Sequence, residues 1–323
     1  LRTGLWFFLA AGVWLAPAQT CIAHGQTAVA AVALVVLGQV ARMRGAGAKG
    51  PAWPILAGLF MGLATAIKPQ VGGLFLVYEA GRLRWRPVAA AIGIAATLTL
   101  IGVGRMESAG VAWRESWPRN VADFAASGDG SPIAGNQIRY QLVNLHYPLH
   151  TFTDNRDAVR WTVYAIAGGL CLAYALVDLR QRRSAARAGL PPASGEGAGE
   201  LMSLSMVAAI TLMVVYHRFY DAALVVIPLG MAVSEIARGR RGIAIWVVLA
   251  LVGLFIAPGA VILAEAAARG WIPLSIPDTL VWHRALLPHQ AWGLLLLAIT
   301  LVLLRNRPET AAHPKKEKTQ HSA

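Results

Sequence analysis

Four long stretches of the chain carry no charged residue: Val88–Gly104, Leu201–Tyr216, Ile243–Ala264 and Ala291–Leu304. In water an apolar run of that length has nothing to face. In a bilayer it matches the hydrocarbon thickness, which a helix covers with about 20 residues. Composition agrees, since 56% of the 323 residues are hydrophobic and 14% are charged, against about 25% charged in an ordinary soluble domain. A water-soluble enzyme is excluded, and the chain reads as an all-α, polytopic transmembrane bundle.

The net charge of +13 raises nucleic acid as a partner, and the distribution of the bases answers it. They gather in short gaps between apolar blocks: Arg42/Arg44/Lys49, Arg82/Arg84/Arg86, Arg180/Arg182/Arg183/Arg187, Arg238/Arg240/Arg241 and Arg305/Arg307/Lys315/Lys316/Lys318. That is the positive-inside pattern of cytoplasmic loops. The partner it implies is the lipid bilayer, with no nucleic acid.

Placing the five clusters on one side fixes a topology of about ten spans with both visible termini cytoplasmic. The spans are Leu5–Ala16, Gln26–Ala41, Trp53–Ile67, Val71–Ala80, Pro87–Gly104, Ala158–Asp178, Leu201–Tyr216, Phe219–Ala237, Ile243–Ala264 and Gln290–Leu304. The inner side then holds 19 basic and 7 acidic residues, and the outer side 10 and 9. Val71–Ala80 is too short to cross alone, so the spacing predicts a broken hairpin turning at Lys68-Pro69-Gln70. The expected organisation is membrane helices over 1–178, a cytoplasmic linker over 179–200, membrane helices over 201–304 and a basic tail over 305–323. Within the first unit, Arg105–Asp157 reads as a large aromatic-rich outer loop folded over the mouth of the bundle. The protein is expected in the cytoplasmic (inner or plasma) membrane as a multi-pass chain with an extracytoplasmic active site.

Polar groups converge on that outer side: His24-Gly25-Gln26, Lys68-Pro69-Gln70, Asn136-Gln137 with Arg139, and His217-Arg218-Phe219-Tyr220-Asp221. An ionisable residue in or at the end of a span marks function by default, because its burial is costly. Each motif also has a plain reading. His24-Gly25-Gln26 can start a helix at the interface, Lys68 can snorkel to headgroups, Asn136 and Gln137 can be turn residues, and Asp221 can pair with Arg218. Together they describe a cationic, hydrogen-bonding pocket suited to a lipid-linked phosphate. Lys68 and Arg218 would meet phosphate oxygens, and Gln26, Asn136 and Gln137 would bind sugar hydroxyls. A channel would need polar residues along a whole span, and a transporter would need them near the midplane. No Asp-x-Asp metal motif is present, so no metal and no further cofactor is expected.

These pieces, in this order, resemble glycosyltransferase family 87, polyprenol-phosphate-mannose-dependent α-1,2-mannosyltransferases of the GT-C superfamily. They are Gly25-Gln26 opening a span, Gly62–Pro69 closing a short helix, Asn136-Gln137 in the outer loop, and Tyr216–Tyr220 before an apolar run ending at Pro228. The resemblance covers roughly Ala18–Gly230. It implies a membrane hexosyltransferase that moves mannose from a polyprenyl-phosphate donor to a hydroxyl of a glycolipid or glycan acceptor, with inversion. It carries Lys68, Asn136, Gln137 and His217 over as site residues. Where this chain has His217-Arg218, the family often shows two histidines. Family members use an Asp of the first outer loop as general base, yet Pro17–Gly25 contains no acid. The expectation is therefore that this chain is an N-terminally truncated, inactive piece whose base lies upstream of Leu1. Without such an extension, Asp221 beside His217 is the best-placed acid–base group. The rival from another class is a non-enzymatic flippase or transporter of lipid-linked sugars.

Overall fold

The computed structural model describes residues 15–45, 52–127, 132, 136, 139–187, 198–215 and 217–306. The span expected at Leu5–Ala16 lies almost wholly outside them, as do Gln137, the middle of the 179–200 linker and most of the basic tail. Among the described residues every named element is helical, and the chain is an all-α membrane protein.

Among the described residues thirteen α-helices follow one another: α1 Ala16–Ala23, α2 Ala28–Gly45, α3 Ala52–Ile67, α4 Pro69–Gly81, α5 Trp85–Ser108, α6 Trp113–Ser127, α7 His146–Leu149, α8 Arg156–Arg187, α9 Ala198–Val214, α10 Val226–Ala237, α11 Ile243–Gly253, α12 Gly259–Ala268 and α13 His289–Arg305. Short 3₁₀ segments occupy Arg139–Gln141 and Phe219–Val225. Among the described residues four segments are long and apolar enough to cross a membrane: Ala28–Gly45, Trp85–Ser108, Arg156–Ser184 and Phe219–Ala237. Shorter apolar helices occupy Ala52–Ile67, Gly199–Val214, Ile243–Gly253, Gly259–Ala268 and His289–Arg305. The block Ile243–Ala264 is broken rather than continuous, because Pro258 starts a new helix and Leu254 closes the one before it. Arg105–Asp157 is not structureless either, since it folds into α6, a 3₁₀ turn and α7.

The N-terminal helices pack through small residues. A Cβ on Gly58 would lie 2.5 Å from Pro87 O, and one on Gly62 would lie 2.6 Å from Ala91 O, so α3 and α5 touch backbone to backbone. Close approach of that kind is how helices associate where lipid removes the hydrophobic drive. Outward faces stay apolar: Leu100 on α5 is 71% exposed and Leu172 on α8 is 60% exposed. In water those faces would aggregate; in hydrocarbon they are solvated. The main core joins α2, α4 and α8 to α9, α10, α11 and α13, with Phe75, Leu212, Leu224, Met231, Leu294 and Leu297 fully enclosed.

Candidate active site

Two helix breaks meet in the interior. The first is at Lys68, whose φ of −150° and ψ of 84° end α3, while Pro69 supplies the first turn of α4. Proline fits there because that position needs no amide donor. The hairpin closes tightly: a Cβ on Gly72 would sit 2.5 Å from Thr65 Oγ1 and 2.9 Å from Thr65 N, so only glycine lets α4 fold back at this angle. The second break follows α9. α9 ends at Val214, and Arg218, in extended form, leads into the 3₁₀ segment Phe219–Val225 ahead of α10.

The extended piece is stitched to the segment 142–149. Val143 N donates to His217 O at 3.2 Å and Leu145 N donates to Met213 O at 3.1 Å, with Leu142 bridged to Arg218. These bonds satisfy backbone groups that broken helices leave open. Tyr147 anchors the segment. Burial pushes its phenol up to about 12, against the opposing pull of Arg139, whose guanidinium lies 5.8 Å from the ring centre.

At the junction, Lys68 Nζ is ion-paired with one carboxylate oxygen of Asp221. His217 Nδ1 lies 3.2 Å from the other. That distance suits an ion pair, but the direction is off the line of a hydrogen bond, and neither ring nitrogen has a hydrogen-bond partner among the described residues. Lys68 also sits 4.6 Å from the centre of the Tyr220 ring, a cation–π contact. Exposure is 8% at Lys68, 1% at Asp221 and 0% at His217. So Lys68 does not snorkel to headgroups, and Asp221 directs its carboxylate to Lys68 and His217 while its amide donates to Arg218 O at 2.9 Å.

Gln26 is exposed, and its backbone atoms bond Cys21. Asn136 is half-buried and its carbonyl accepts from Arg139 N at 3.3 Å. Gln137 is outside the described residues. Arg218 is half-buried beside the extended bridge.

A family model for glycosyltransferase family 87 matches residues 1–194. The chain belongs to glycosyltransferase family 87. No curated protein and no solved structure matches it. The family 87 match includes Lys68 and Asn136 and stops before His217 and Asp221, so the part of the resemblance drawn from Tyr216–Pro228 lies beyond it. As a membrane glycosyltransferase of family 87, the protein uses a sugar donor and an acceptor. Among the described residues no three His, Cys, Asp or Glu side chains gather as a metal site.

A second polar cluster escaped the sequence reading. Glu79, fully buried, and Glu200, 6% exposed, sit among Arg42, Arg82 and Arg84. Glu200 was expected in a flexible linker; instead it begins α9 and is held at 2.7 Å by Arg42 and 2.9 Å by Arg84. The available signal was that Glu79 is the first acid of the chain and follows eight apolar or small residues.

Proposed function

We propose that this chain, with Asp221 beside His217 as its acid–base group in place of an Asp upstream of Leu1, transfers a hexose, mannose first, from a polyprenyl phosphate to an acceptor hydroxyl with inversion at the anomeric carbon, on the outer face of the cytoplasmic membrane. The buried contact of Lys68, Asp221 and His217 carries the reading. A cation, a carboxylate and an imidazole held together where helices break is the equipment that phosphate departure and proton removal require.

In the proposed reaction the acceptor oxygen attacks the anomeric carbon opposite the phosphate. The bond from that carbon to the phosphate oxygen breaks, and polyprenyl phosphate leaves with the electron pair. Lys68, at the positive end of α4, meets the charge developing on the leaving phosphate. His217 Nε2 takes the acceptor proton, and Asp221, facing Nδ1, orients the ring and stabilises the imidazolium. Substrate gains this enclosed group when the Leu142–Leu145 segment lifts from His217. Asn136, Gln137, Gln26 and Arg218 would contribute sugar and phosphate contacts from the surrounding loops.

The test is transfer from polyprenyl-phosphate mannose in membranes carrying the chain, with Lys68→Ala and His217→Ala. The expected result is loss of transfer in both, with release of a lipid monophosphate by the unaltered chain. Unchanged rates in both variants overturn the site. Bound donor that crosses the membrane unaltered overturns the reaction.

A further inference from the structure

A cavity of about 510 Å³ opens between α4, α8 and α9, at the opposite end of α4 from Lys68. Arg82, just past the end of this 13-residue helix, lies about 20 Å along its axis from Lys68 at 1.5 Å per residue. The walls are largely apolar, formed by Leu74, Val77, Met206, Val207 and Ile210, and Arg82, Arg182 and Asp178 also line the cavity. Its volume lies within the roughly 300–1,000 Å³ of ligand sites.

Charge at that end is unbalanced. Asp178 is already shared by three guanidiniums: Arg305, Arg182 at 2.7 Å and Arg82 at 3.5 Å. The connected network contains Arg42, Arg82, Arg84, Arg182 and Arg305 against Glu79, Asp178 and Glu200, two more cations than carboxylates among the described residues. Arg82 Nε is buried there without a hydrogen-bond partner among the described residues. A hydrocarbon-lined groove that ends in excess guanidinium matches one kind of molecule, with an apolar chain and an anionic head. A soluble anion would leave the apolar walls unmatched, and a neutral lipid would leave the guanidiniums unmatched.

We propose that this groove binds an anionic phospholipid of the surrounding bilayer, one acyl chain between α4, α8 and α9 and the phosphate at Arg82 and Arg182. The bound lipid completes the charge balance of the arginine network and fastens α8 to α4 and α9. The site is distinct from the Lys68 cluster and needs no turnover to be observed.

Native mass spectrometry of the full chain in detergent, titrated with phosphatidylglycerol, phosphatidylcholine, glycerophosphate or polyprenyl phosphate, tests this directly. Phosphatidylglycerol is expected to be retained more tightly than phosphatidylcholine, and glycerophosphate not at all. Arg182→Gln is expected to weaken phosphatidylglycerol about fivefold, since one arginine near an anionic head contributes about 1 kcal/mol. Ala175→Trp places an indole in the groove from an exposed position and should abolish retention at an unchanged melting temperature. Equal affinity for the two phospholipids overturns the proposal, as does retention that neither variant alters. Competition by glycerophosphate would reassign the site to a soluble phosphate, and tighter retention of polyprenyl phosphate would reassign it to the donor; either result overturns the phospholipid assignment.

Discussion

Lys68 and Asp221 lie 153 positions apart and form an ion pair in the interior, Lys68 at the tip of the α3–α4 hairpin and Asp221 in the 3₁₀ segment after α9. Two interrupted helices thus face each other through opposite charges. Each charge is tolerable there because the other is present.

Removing one partner should therefore cost more than removing both. Lys68→Ala or Asp221→Asn is expected to destabilise the protein by roughly 3–5 kcal/mol, and the double variant by clearly less than the sum. Thermal or denaturant unfolding in detergent reads the cycle. Strict additivity would show that the two groups do not interact.

The hairpin depends on Gly72. Gly72→Val drives side-chain atoms into the Thr65 backbone and should destabilise by about 1–3 kcal/mol while displacing Lys68 and lowering transfer. Gly73→Ala, where a Cβ meets nothing within 4 Å, is the matched control and should be neutral or slightly stabilising. Equal effects at both positions would refute the close approach as the cause.

Acid should loosen the segment that covers His217. Burial lowers the pKa of His146, assisted by His150, and burial likewise lowers that of His150, with Arg156 and Arg139 acting the same way and Thr153 O and Asp154 opposing. Each is a base with a depressed folded value. Its stabilisation is full above the unfolded value of about 6.5 and is lost as pH falls through that value toward the folded one. Hydrogen exchange of the Val143 and Leu145 amides should accelerate between pH 7.5 and 5.5, and His146→Gln/His150→Gln should remove the dependence. A flat profile in the unaltered chain would contradict this.

Reporter fusions after Arg44, Arg84, Arg183 and Arg240 should all report the cytoplasm, and one within residues 127–135 the opposite compartment. The arginine network supports a common side for the first three clusters, because Arg42, Arg82, Arg84 and Arg182 are joined through shared carboxylates. An outer signal from any two of the four basic sites would overturn the arrangement.

By itself the sequence determined the class of solvent and most helix positions. Charge-free blocks require hydrocarbon, and Lys68-Pro69 sets a break because proline cannot continue a helix inward from its amide side. It also marked Lys68, His217 and Asp221 individually, since ionisable groups beside apolar runs stand out in one dimension. The pairing of Lys68 with Asp221 was decided by the tertiary structure alone. Asp221 has Arg218 three residues away, and local spacing favours that partner; yet the packing of Phe219–Val225 against α1 and α2 turns its carboxylate to Lys68. Glu200 shows the same limit from the other side: the stretch before it, from Pro191 on, is Pro, Ala, Ser, Gly and one Glu, the composition of a linker. Only the meeting of α2, α4 and α9 surrounds it with arginines. Hydropathy is a property of each residue and its near neighbours. The field felt by a buried charge is the sum over groups that the chain brings together from far apart.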